Sequence, residues 1–254
     1  MVNIKTVVVD LDRTLLRNDK TLSPYTANVL QRCKNSGIKI MIATARPLRD
    51  TIQYYESFGF DAMAVSNGAR MICGDERIEY GILPPSANKL LAALESYGDL
   101  RITLETGDCA YSNKPIEDYE TTLSSNLKRV AQNEGALKIL VHLDNDKTLK
   151  TVEKLLSEDL YYTTAHGYLM QIMDKAATKW NGVKAMLDMS NSLPEDTLYF
   201  GDDYDDIEPI KMCGLGVAVS NALDDVKFVA DYVAERNDND GVAKFIDEML
   251  LKNS

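Results

Sequence analysis

The sequence has few cysteines, and no two of them are close together. They are Cys33, Cys73, Cys109 and Cys213. This scatter excludes the spacing of a cysteine-based zinc site and the density of a disulfide-stabilised secreted domain. We predict that all four are reduced thiols that serve mainly in packing.

Long apolar runs are also missing. The run Val7–Val9 is interrupted at once by Asp10 and Asp12, so it is far shorter than the apolar core of a signal peptide. No stretch approaches the roughly 20 apolar residues that cross a bilayer. These absences predict a cytoplasmic protein with no membrane partner.

Positive charge is scarce. Lys and Arg number 28 against 39 Asp and Glu, a net charge of −11, and no basic stripe with interleaved aromatic residues offsets this locally. Such a field repels polyanions, so we expect no nucleic-acid partner. A hydrophobic fraction of 45% over 254 residues allows a sizeable core and two domains. The oligomeric state has no signal in the sequence.

Short β-branched segments alternate with helical segments at both ends of the chain. The predicted strands are 4–9, 38–43, 62–65, 198–200 and 216–219, and helices begin near Pro24, Pro47, Lys179 and Val242. This alternation predicts an α/β class with a Rossmann-like, parallel, doubly wound sheet.

A middle block breaks this rhythm. It begins near Pro84-Pro85 and contains alternating strands over 101–112 and β-rich pieces at 136–143 and 161–173. We predict an inserted α+β domain over 83–173 within a discontinuous core of 1–82 and 174–254. His142 and His166 both lie in this block without a metal-ligand cluster nearby, and we interpret them as structural residues.

Acidic residues follow two of the predicted buried strands. Asp10 and Asp12 are two residues apart and can point the same way, and 202–206 contains four acids. Thr44 and Arg46 follow another strand. Either acidic group alone is compatible with a solvated turn, whereas together their oxygens suit acid–base chemistry or a Mg²⁺ site where a sheet binds ligands.

These segments resemble the four motifs of the haloacid dehalogenase superfamily. They are D-L-D-R-T-L-L at 10–16, A-T-A-R-P at 43–47, a lysine before a helix at 179, and G-D-D-Y-D-D at 201–206. The chain is similar to the Cof-type phosphatases, including their Asn67-Gly68-Ala69 stretch. That resemblance implies a type IIB α/β cap, inserted between the second and third motifs, that determines substrate specificity.

The resemblance implies a Mg²⁺-dependent phosphatase that hydrolyses small phosphorylated metabolites, such as sugar phosphates, through an aspartyl-phosphate. Asp10 would be the nucleophile, and Asp12 the acid and base. Thr44 and Lys179 would bind the transferring phosphoryl group. For Lys179, an ordinary helix-surface lysine is the alternative.

The resemblance also implies the metal ligands. Asp10 and Asp202 would bind Mg²⁺ through their carboxylates and Asp12 through its backbone carbonyl, with Asp206 close by. The ligands would thus come from two strand ends.

Arg46 and Asn221 are predicted to bind substrate, with a surface ion pair and a turn asparagine as their respective alternatives. Three residues depart from the family pattern: Arg13 and Ala45 stand where glycine is common, and Asp205 stands where asparagine is frequent. None of these departures removes a named catalytic group.

Other functions remain open on the residues alone. A phosphomutase uses the same core, and a sugar-phosphate sensor would bind without catalysis. A receiver-like signalling module also combines strand-end aspartates with Thr and Lys, but it would have neither the inserted block nor Asp12. The phosphatase is therefore the favoured hypothesis.

Overall fold

The computed structural model describes residues 3–143, 145–165 and 167–251. The chain folds into two compact units, one formed by Met1–Ile78 and Thr178–Ser254 and the other by Glu79–Ala177. The predicted limits of the inserted block are 83 and 173, so the observed unit extends slightly beyond them at both ends.

The described residues contain fourteen strands and nine α-helices. The strands are β1 (Thr6–Val9), β2 (Lys39–Ala43), β3 (Ala62–Val65), β4 (Arg70–Cys73), β5 (Glu76–Glu79), β6 (Ile102–Glu105), β7 (Ala110–Ser112), β8 (Thr122–Leu123), β9 (Lys138–His142), β10 (Leu160–Ala165), β11 (Leu169–Asp174), β12 (Thr197–Gly201), β13 (Leu215–Val219) and β14 (Tyr232–Ala234). The helices are α1 (Pro24–Asn35), α2 (Leu48–Phe58), α3 (Pro84–Tyr97), α4 (Leu127–Glu134), α5 (Asp146–Glu153), α6 (Lys179–Met189), α7 (Ile207–Met212), α8 (Asp224–Val229) and α9 (Gly241–Ile246).

One mixed sheet forms the centre of the first unit, with the strand order β14-β13-β12-β1-β2-β3-β4-β5. Neighbours from β14 to β3 pair in parallel, and β3 pairs antiparallel with β4. β1 is buried along its whole length, as expected for a central strand covered on both faces. The predicted α/β class with a parallel-sheet core is confirmed.

The helix boundaries of the first unit follow local sequence signals. Ser23 accepts a hydrogen bond from the Thr26 backbone N–H, and Pro24 occupies the first position of α1, so an unpaired N-terminal donor is satisfied. Gly59, in a left-handed conformation, ends α2. Local capping residues therefore define both of these helix boundaries.

The second unit contains a separate sheet with the order β10-β11-β9-β6-β7-β8. Alternate strand residues, among them Leu104, Ile139 and Ile172, pack with Leu91 of α3 in one apolar cluster. The strands pair antiparallel except for the parallel pair β7–β8. A largely antiparallel sheet with one face on helices is the expected α+β arrangement.

Some elements of the fold are absent from the sequence prediction. The hairpin β4–β5 and helix α4 are additional, and the β-rich piece 161–173 is a hairpin of β10 and β11. His142 is buried in β9, with Nε2 3.3 Å from the Tyr119 hydroxyl oxygen, whereas His166 lies outside the described residues.

The structure agrees with the prediction of reduced cysteines and has no candidate membrane-spanning helix among the described residues. All four cysteines, which lie in the described ranges, are free thiols, and burial raises the pKa of Cys33 to about 11 and that of Cys213 to about 12. Within the same ranges, no helix has the length and apolar character needed to cross a membrane.

Candidate active site

The carboxyl ends of β1, β2 and β12 lie side by side in the sheet of the first unit. Asp10, Thr44 and Asp202 follow these strands directly. The backbone N–H of Asp10 donates to the Phe200 carbonyl at 3.0 Å, which holds the first aspartate against β12. Three of the predicted site residues are therefore together at the edge where open α/β sheets bind ligands.

Lys179 is the centre of a buried cluster, defined here as Asp10, Lys179, Asp202, Asp205 and Asp206. Its Nζ is 2.6 Å from Asp206 Oδ1, 3.1 Å from Asp205 Oδ1 and 3.2 Å from Asp10 Oδ1. Because only 4% of Lys179 is exposed, water screens these charges poorly. One ammonium group does not balance the charge of three ionised carboxylates, so the cluster would favour binding of a further cation.

Burial and mutual repulsion raise the pKa values of acids in the buried cluster. Burial raises the pKa of Asp10 well above its usual range, against the attraction of Lys179 and together with repulsion from Asp206. Burial and the Asp206 charge raise the pKa of Asp202 to about 7. Burial alone would lower the pKa of Lys179, but Asp10 and Asp205 are among the acids that raise it well above its usual range. The lysine therefore stays charged.

Asp206 accepts four hydrogen bonds. Its Oδ1 accepts from Lys179 Nζ and from the Tyr199 hydroxyl, both at 2.6 Å, and its Oδ2 accepts from the backbone N–H groups of Asp202 and Asp203 at 2.9 and 3.0 Å. These four bonds use the lone pairs of both oxygens. Asp206 thus fixes the lysine and the turn that carries Asp202.

Three acids could hold a metal ion. Asp10, Asp202 and Asp206 each offer an oxygen, and these oxygens lie within 4.8 Å of one another. The hydrogen bonds of Asp206 already occupy its oxygens, which favours Asp10 and Asp202 as the direct ligands. Buried carboxylate oxygens fit a hard divalent cation, without distinguishing Mg²⁺ from Mn²⁺ or Ca²⁺.

The segment after β1 adds contacts to Asp202. Thr14 donates its hydroxyl to Asp202 Oδ1 at 3.1 Å, and Arg13, whose φ is +60°, has its Nε 3.5 Å from Asp202 Oδ2. A non-glycine residue with positive φ is uncommon and stores strain. The D-L-D-R-T segment thus orients the predicted metal ligand of another strand.

Asn221 is bound on both sides of its amide. Its Nδ2 donates to the Arg13 carbonyl at 2.7 Å, and its Oδ1 accepts from the Asn237 backbone N–H at 2.9 Å. These bonds tie the loop after β13 to the segment after β1 and to the turn before α9. The predicted role of Asn221 in substrate binding stays a prediction.

Asp12 belongs to a rim cluster, defined here as Asp12, Lys20, Arg46 and Tyr54. Arg46 donates from Nε to Asp12 Oδ2 at 2.5 Å and from Nη2 to Oδ1 at 2.6 Å, and Lys20 Nζ is 2.6 Å from the same Oδ1. Burial acts to raise the pKa of Asp12, but the hydrogen bonds and charges of Arg46 and Lys20 hold it below its usual range. The substrate contact predicted for Arg46 stays a prediction.

Thr44 is connected to the buried cluster through Asn67. The Thr44 carbonyl accepts from the Asn67 backbone N–H at 3.1 Å, and Asn67 Nδ2 donates to Asp205 Oδ2 at 2.9 Å. Thr44 Oγ1 accepts from the backbone N–H of Arg46 at 3.2 Å. The turn after β3 therefore connects the predicted phosphoryl-binding threonine to Asp205.

Two glycines let this turn approach α6 closely. A Cβ on Gly68, whose φ is +84°, would lie 2.1 Å from the Thr178 carbonyl oxygen, and a Cβ on Gly182 would lie 2.5 Å from the Gly68 Cα. Thr178 caps α6 by accepting from the Asn181 backbone N–H. Lys179 therefore begins a helix that is positioned by backbone contact.

Four residues of the site have no counterpart in the sequence prediction: Thr14, Lys20, Tyr54 and Tyr199. Tyr199 had a usable signal, because a tyrosine inside a fully buried strand needs a partner for its hydroxyl. Lys20 and Tyr54 reach Asp12 and Arg46 from separate segments, and no local pattern indicates that.

Comparison with known proteins adds sequence relatives and fold relatives. The model of the haloacid dehalogenase-like hydrolases matches residues 7–246. The 5-amino-6-(5-phospho-D-ribitylamino)uracil phosphatase YitU of Bacillus subtilis is 27% identical over 260 residues, covering 95% of this chain and 96% of YitU.

Two solved structures share the fold. TM0651 of Thermotoga maritima has a TM-score of 0.87 at 21% identity, with 97% of each chain covered. The subclass IIB sugar phosphatase BT4131 has a TM-score of 0.81 at 22% identity, covering 96% of this chain and 98% of that one. The motif resemblance is thus confirmed over nearly the whole length, and this chain belongs to the family of haloacid dehalogenase-like hydrolases.

Proposed function

We propose that this hydrolase is a Mg²⁺-dependent phosphatase that releases phosphate from small phosphorylated metabolites through an aspartyl-phosphate on Asp10. The observation that carries the proposal is the buried cluster, in which Asp10 contacts Lys179 beside Asp202 at a strand end. A nucleophilic carboxylate next to a fixed ammonium suits transfer of a phosphoryl group, which carries negative charge on its oxygens.

In the first half-reaction, an Asp10 carboxylate oxygen attacks phosphorus, and the bond from phosphorus to the leaving oxygen breaks. Protonated Asp12 gives its proton to that oxygen, so the product leaves as an alcohol. Lys179, held by Asp206 at 2.6 Å, and Thr44 stabilise the charge on the phosphoryl oxygens.

In the second half-reaction, a water molecule attacks the phosphorus of the aspartyl-phosphate. Asp12, now a carboxylate, accepts a proton from this water, and the bond between phosphorus and the Asp10 oxygen breaks. Inorganic phosphate leaves, and both aspartates return to their starting states. Arg46 and Lys20 hold the pKa of Asp12 low, which suits its carboxylate form in this half-reaction. The raised pKa of Asp10 means that a bound cation would be needed to favour its ionised, nucleophilic form.

Asp10 and Asp202 would hold Mg²⁺ through their carboxylates, and the Asp12 backbone carbonyl would be a third ligand. Asp206 would act behind them, because its oxygens already accept four hydrogen bonds. A bound divalent ion supplies positive charge at the phosphoryl oxygens.

The second unit would serve as the substrate-specificity cap. The names of two relatives, a ribitylaminouracil phosphatase and a sugar phosphatase, support phosphorylated sugars or sugar-like metabolites as the class to test first. A cytoplasmic location stays a prediction.

The proposal is tested by following phosphate release from a panel of phosphorylated metabolites and one aryl phosphate. We expect steady turnover with Mg²⁺, its loss with a chelator, and at least about a 10⁴-fold loss in Asp10→Asn, as for other essential nucleophiles. Asp225→Asn, at an exposed position of α8, is the matched control and should retain full activity.

Two outcomes would contradict the proposal. If no ester of the panel releases phosphate while Asp10 is stably phosphorylated, the chain is a receiver-like module. If the phosphoryl group returns to a second hydroxyl of the product and no phosphate accumulates, it is a phosphomutase.

A further inference from the structure

A closed ring of contacts surrounds the Asp12 carboxylate. Arg46 binds both carboxylate oxygens, Lys20 binds one of them, and Tyr54 contacts both Arg46 and Lys20. Asp12 is thus held by residues from three separate segments, whereas the motif resemblance identifies only Asp12 and Arg46.

Lys20 reaches Asp12 through an unusual backbone conformation. Its φ is +66°, and the turn is closed by hydrogen bonds from the Lys20 N–H to the Arg17 carbonyl at 2.8 Å and from the Arg17 N–H to the Thr21 carbonyl at 3.0 Å. Non-glycine residues in this region persist when surrounding contacts hold them there. The turn is therefore fixed independently of the Lys20 ammonium.

Tyr54 connects this turn to Arg46. Its hydroxyl donates to the Lys20 carbonyl at 3.1 Å and is 3.5 Å from Arg46 Nη1. The Arg46 guanidinium carbon is 5.4 Å from the centre of the Tyr54 ring, within the range of a cation–π contact. Helix α2 thus supports both cations of the rim cluster through one tyrosine.

The two oxygens of Asp12 differ in what they accept. Oδ1 accepts from Arg46 Nη2 and Lys20 Nζ, whereas Oδ2 accepts from Arg46 Nε alone among the residues that the structure describes. A carboxylate oxygen has about two lone-pair sites. Oδ1 is therefore saturated, and Oδ2 keeps one site for a proton.

We infer that Lys20 and Tyr54 are positioning residues for the acid–base step, which hold Asp12 so that Oδ2 transfers the proton. The inference rests on the proposed function, in which Asp12 protonates the leaving oxygen. The Lys20 ammonium donates to Oδ1. Tyr54 contacts both the Lys20 carbonyl and Arg46, and so keeps the two cations in place around Asp12. Neither residue touches the phosphoryl group in this assignment.

The test compares two esters. An alkyl phosphate needs a proton on its leaving oxygen, whereas a nitrophenyl phosphate leaves as a stable anion. General acid catalysis contributes roughly 10²- to 10⁴-fold. Because Asp12 also acts as the base in the second half-reaction, which is the same for both esters, the comparison uses the single-turnover rate of Asp10 phosphorylation. We expect Lys20→Met to lower this rate for the alkyl ester at least about tenfold and Tyr54→Phe about threefold, with less than about a twofold change for the nitrophenyl ester.

Three further variants separate positioning from general damage. Lys20→Arg should restore most of the alkyl-ester activity, because it keeps a donor near Oδ1. In an Asp12→Asn background, Lys20→Met should add no further loss, since residues that act through one another are not additive. Lys5→Met is the matched control, because Lys5 makes an exposed 2.6 Å ion pair with Asp196 at the start of β1.

Each result decides between the alternatives. Equal losses in the rate of Asp10 phosphorylation by the two esters, or an additive loss in the Asp12→Asn background, would overturn the positioning role and leave the proposed function intact. If the unaltered chain releases phosphate from no ester of the panel, the proposed function fails and the inference fails with it. If Lys20→Met does not fold, the ester ratio of Tyr54→Phe decides alone.

Discussion

Asp10 and Asp12 are separated by a single residue, yet their surroundings are opposite. Asp10 lies in the buried cluster, where several acids face one lysine, and burial raises the pKa of Asp10. Asp12 lies in the rim cluster, where two cations face one acid and hold its pKa low. Paired carboxylates can thus take different chemical roles because the fold, not their spacing, determines the charges around each one.

After loss of the nucleophile itself, removing the rim carboxylate is expected to have the largest effect on turnover. In Asp12→Asn, the amide can neither give a proton to the leaving oxygen nor accept one from water, so release of phosphate from an alkyl ester should fall roughly 10³-fold. With nitrophenyl phosphate, whose leaving oxygen needs no proton, Asp10 should still be phosphorylated, and the aspartyl-phosphate should accumulate in the intact mass of the chain because its hydrolysis lacks a base. Absence of phosphorylated Asp10 with this ester would contradict the assignment of the two carboxylates to separate roles.

Removing the buried cation tests the other half of the comparison. Lys179→Met leaves buried carboxylates without their partner, and breaking such a pair should lower the free energy of unfolding by about 3 kcal/mol or more. Urea denaturation of metal-free protein measures this. The control is Lys184→Met on the exposed side of α6, expected within about 0.5 kcal/mol of the unaltered chain. Equal stability of both variants would contradict the conclusion that Lys179 stabilises the buried carboxylates.

The pH dependence of stability should have opposite signs in the two clusters. The pKa of Asp202 is raised from its usual 3.8 to about 7, so between these pH values the folded chain binds more protons than the unfolded chain. The free energy of unfolding of metal-free protein should therefore fall as pH rises from about 4 to about 7, by up to about 1.4 kcal/mol per pH unit. The lowered pKa of Asp12 acts oppositely, since its contribution is present above pH 3.8 and is lost as pH falls further.

Urea titrations across this range check the sign. Asp202→Asn should flatten the decline, and Mg²⁺ should reduce it by favouring the ionised acids. A decline that persists unchanged in Asp202→Asn would assign it to other groups.

The smallest expected effect is the loss of the hydrogen bond from Tyr199 to Asp206, the acid that binds Lys179. Tyr199→Phe removes one of four hydrogen bonds to Asp206, which should cost about 1 kcal/mol of unfolding free energy. Tyr232→Phe, on the exposed edge strand β14, is the control and should cost less. No difference between these variants would mean that Lys179 and the backbone N–H groups of Asp202 and Asp203 hold Asp206 without help from the tyrosine.

Much of the fold is predictable from the sequence, because buried parallel strands ending in polar residues are a local pattern. This pattern predicts that Asp10, Thr44 and Asp202 lie together at one edge of the sheet. It does not predict the hairpin β4–β5, because the exposed strand Glu76–Glu79 has no alternation of apolar and polar residues. Local patterns thus identify central strands better than edge strands.

The contacts within the site are less predictable. The sequence leaves open which acid Arg46 contacts, and the structure pairs its guanidinium with Asp12. Lys20 depends on a left-handed turn that its sequence does not signal. Such contacts join distant segments, so they follow from the packed structure and not from spacing along the chain.

The contact between Gly68 and Gly182 has a consequence for variation in this chain. Any side chain at Gly182 would collide with the Gly68 backbone and displace the helix that begins at Lys179. If every position were varied and scored only for turnover, these two glycines would rank beside the aspartates although they carry no reactive group. A parallel score for the amount of folded protein would separate the two kinds of intolerance.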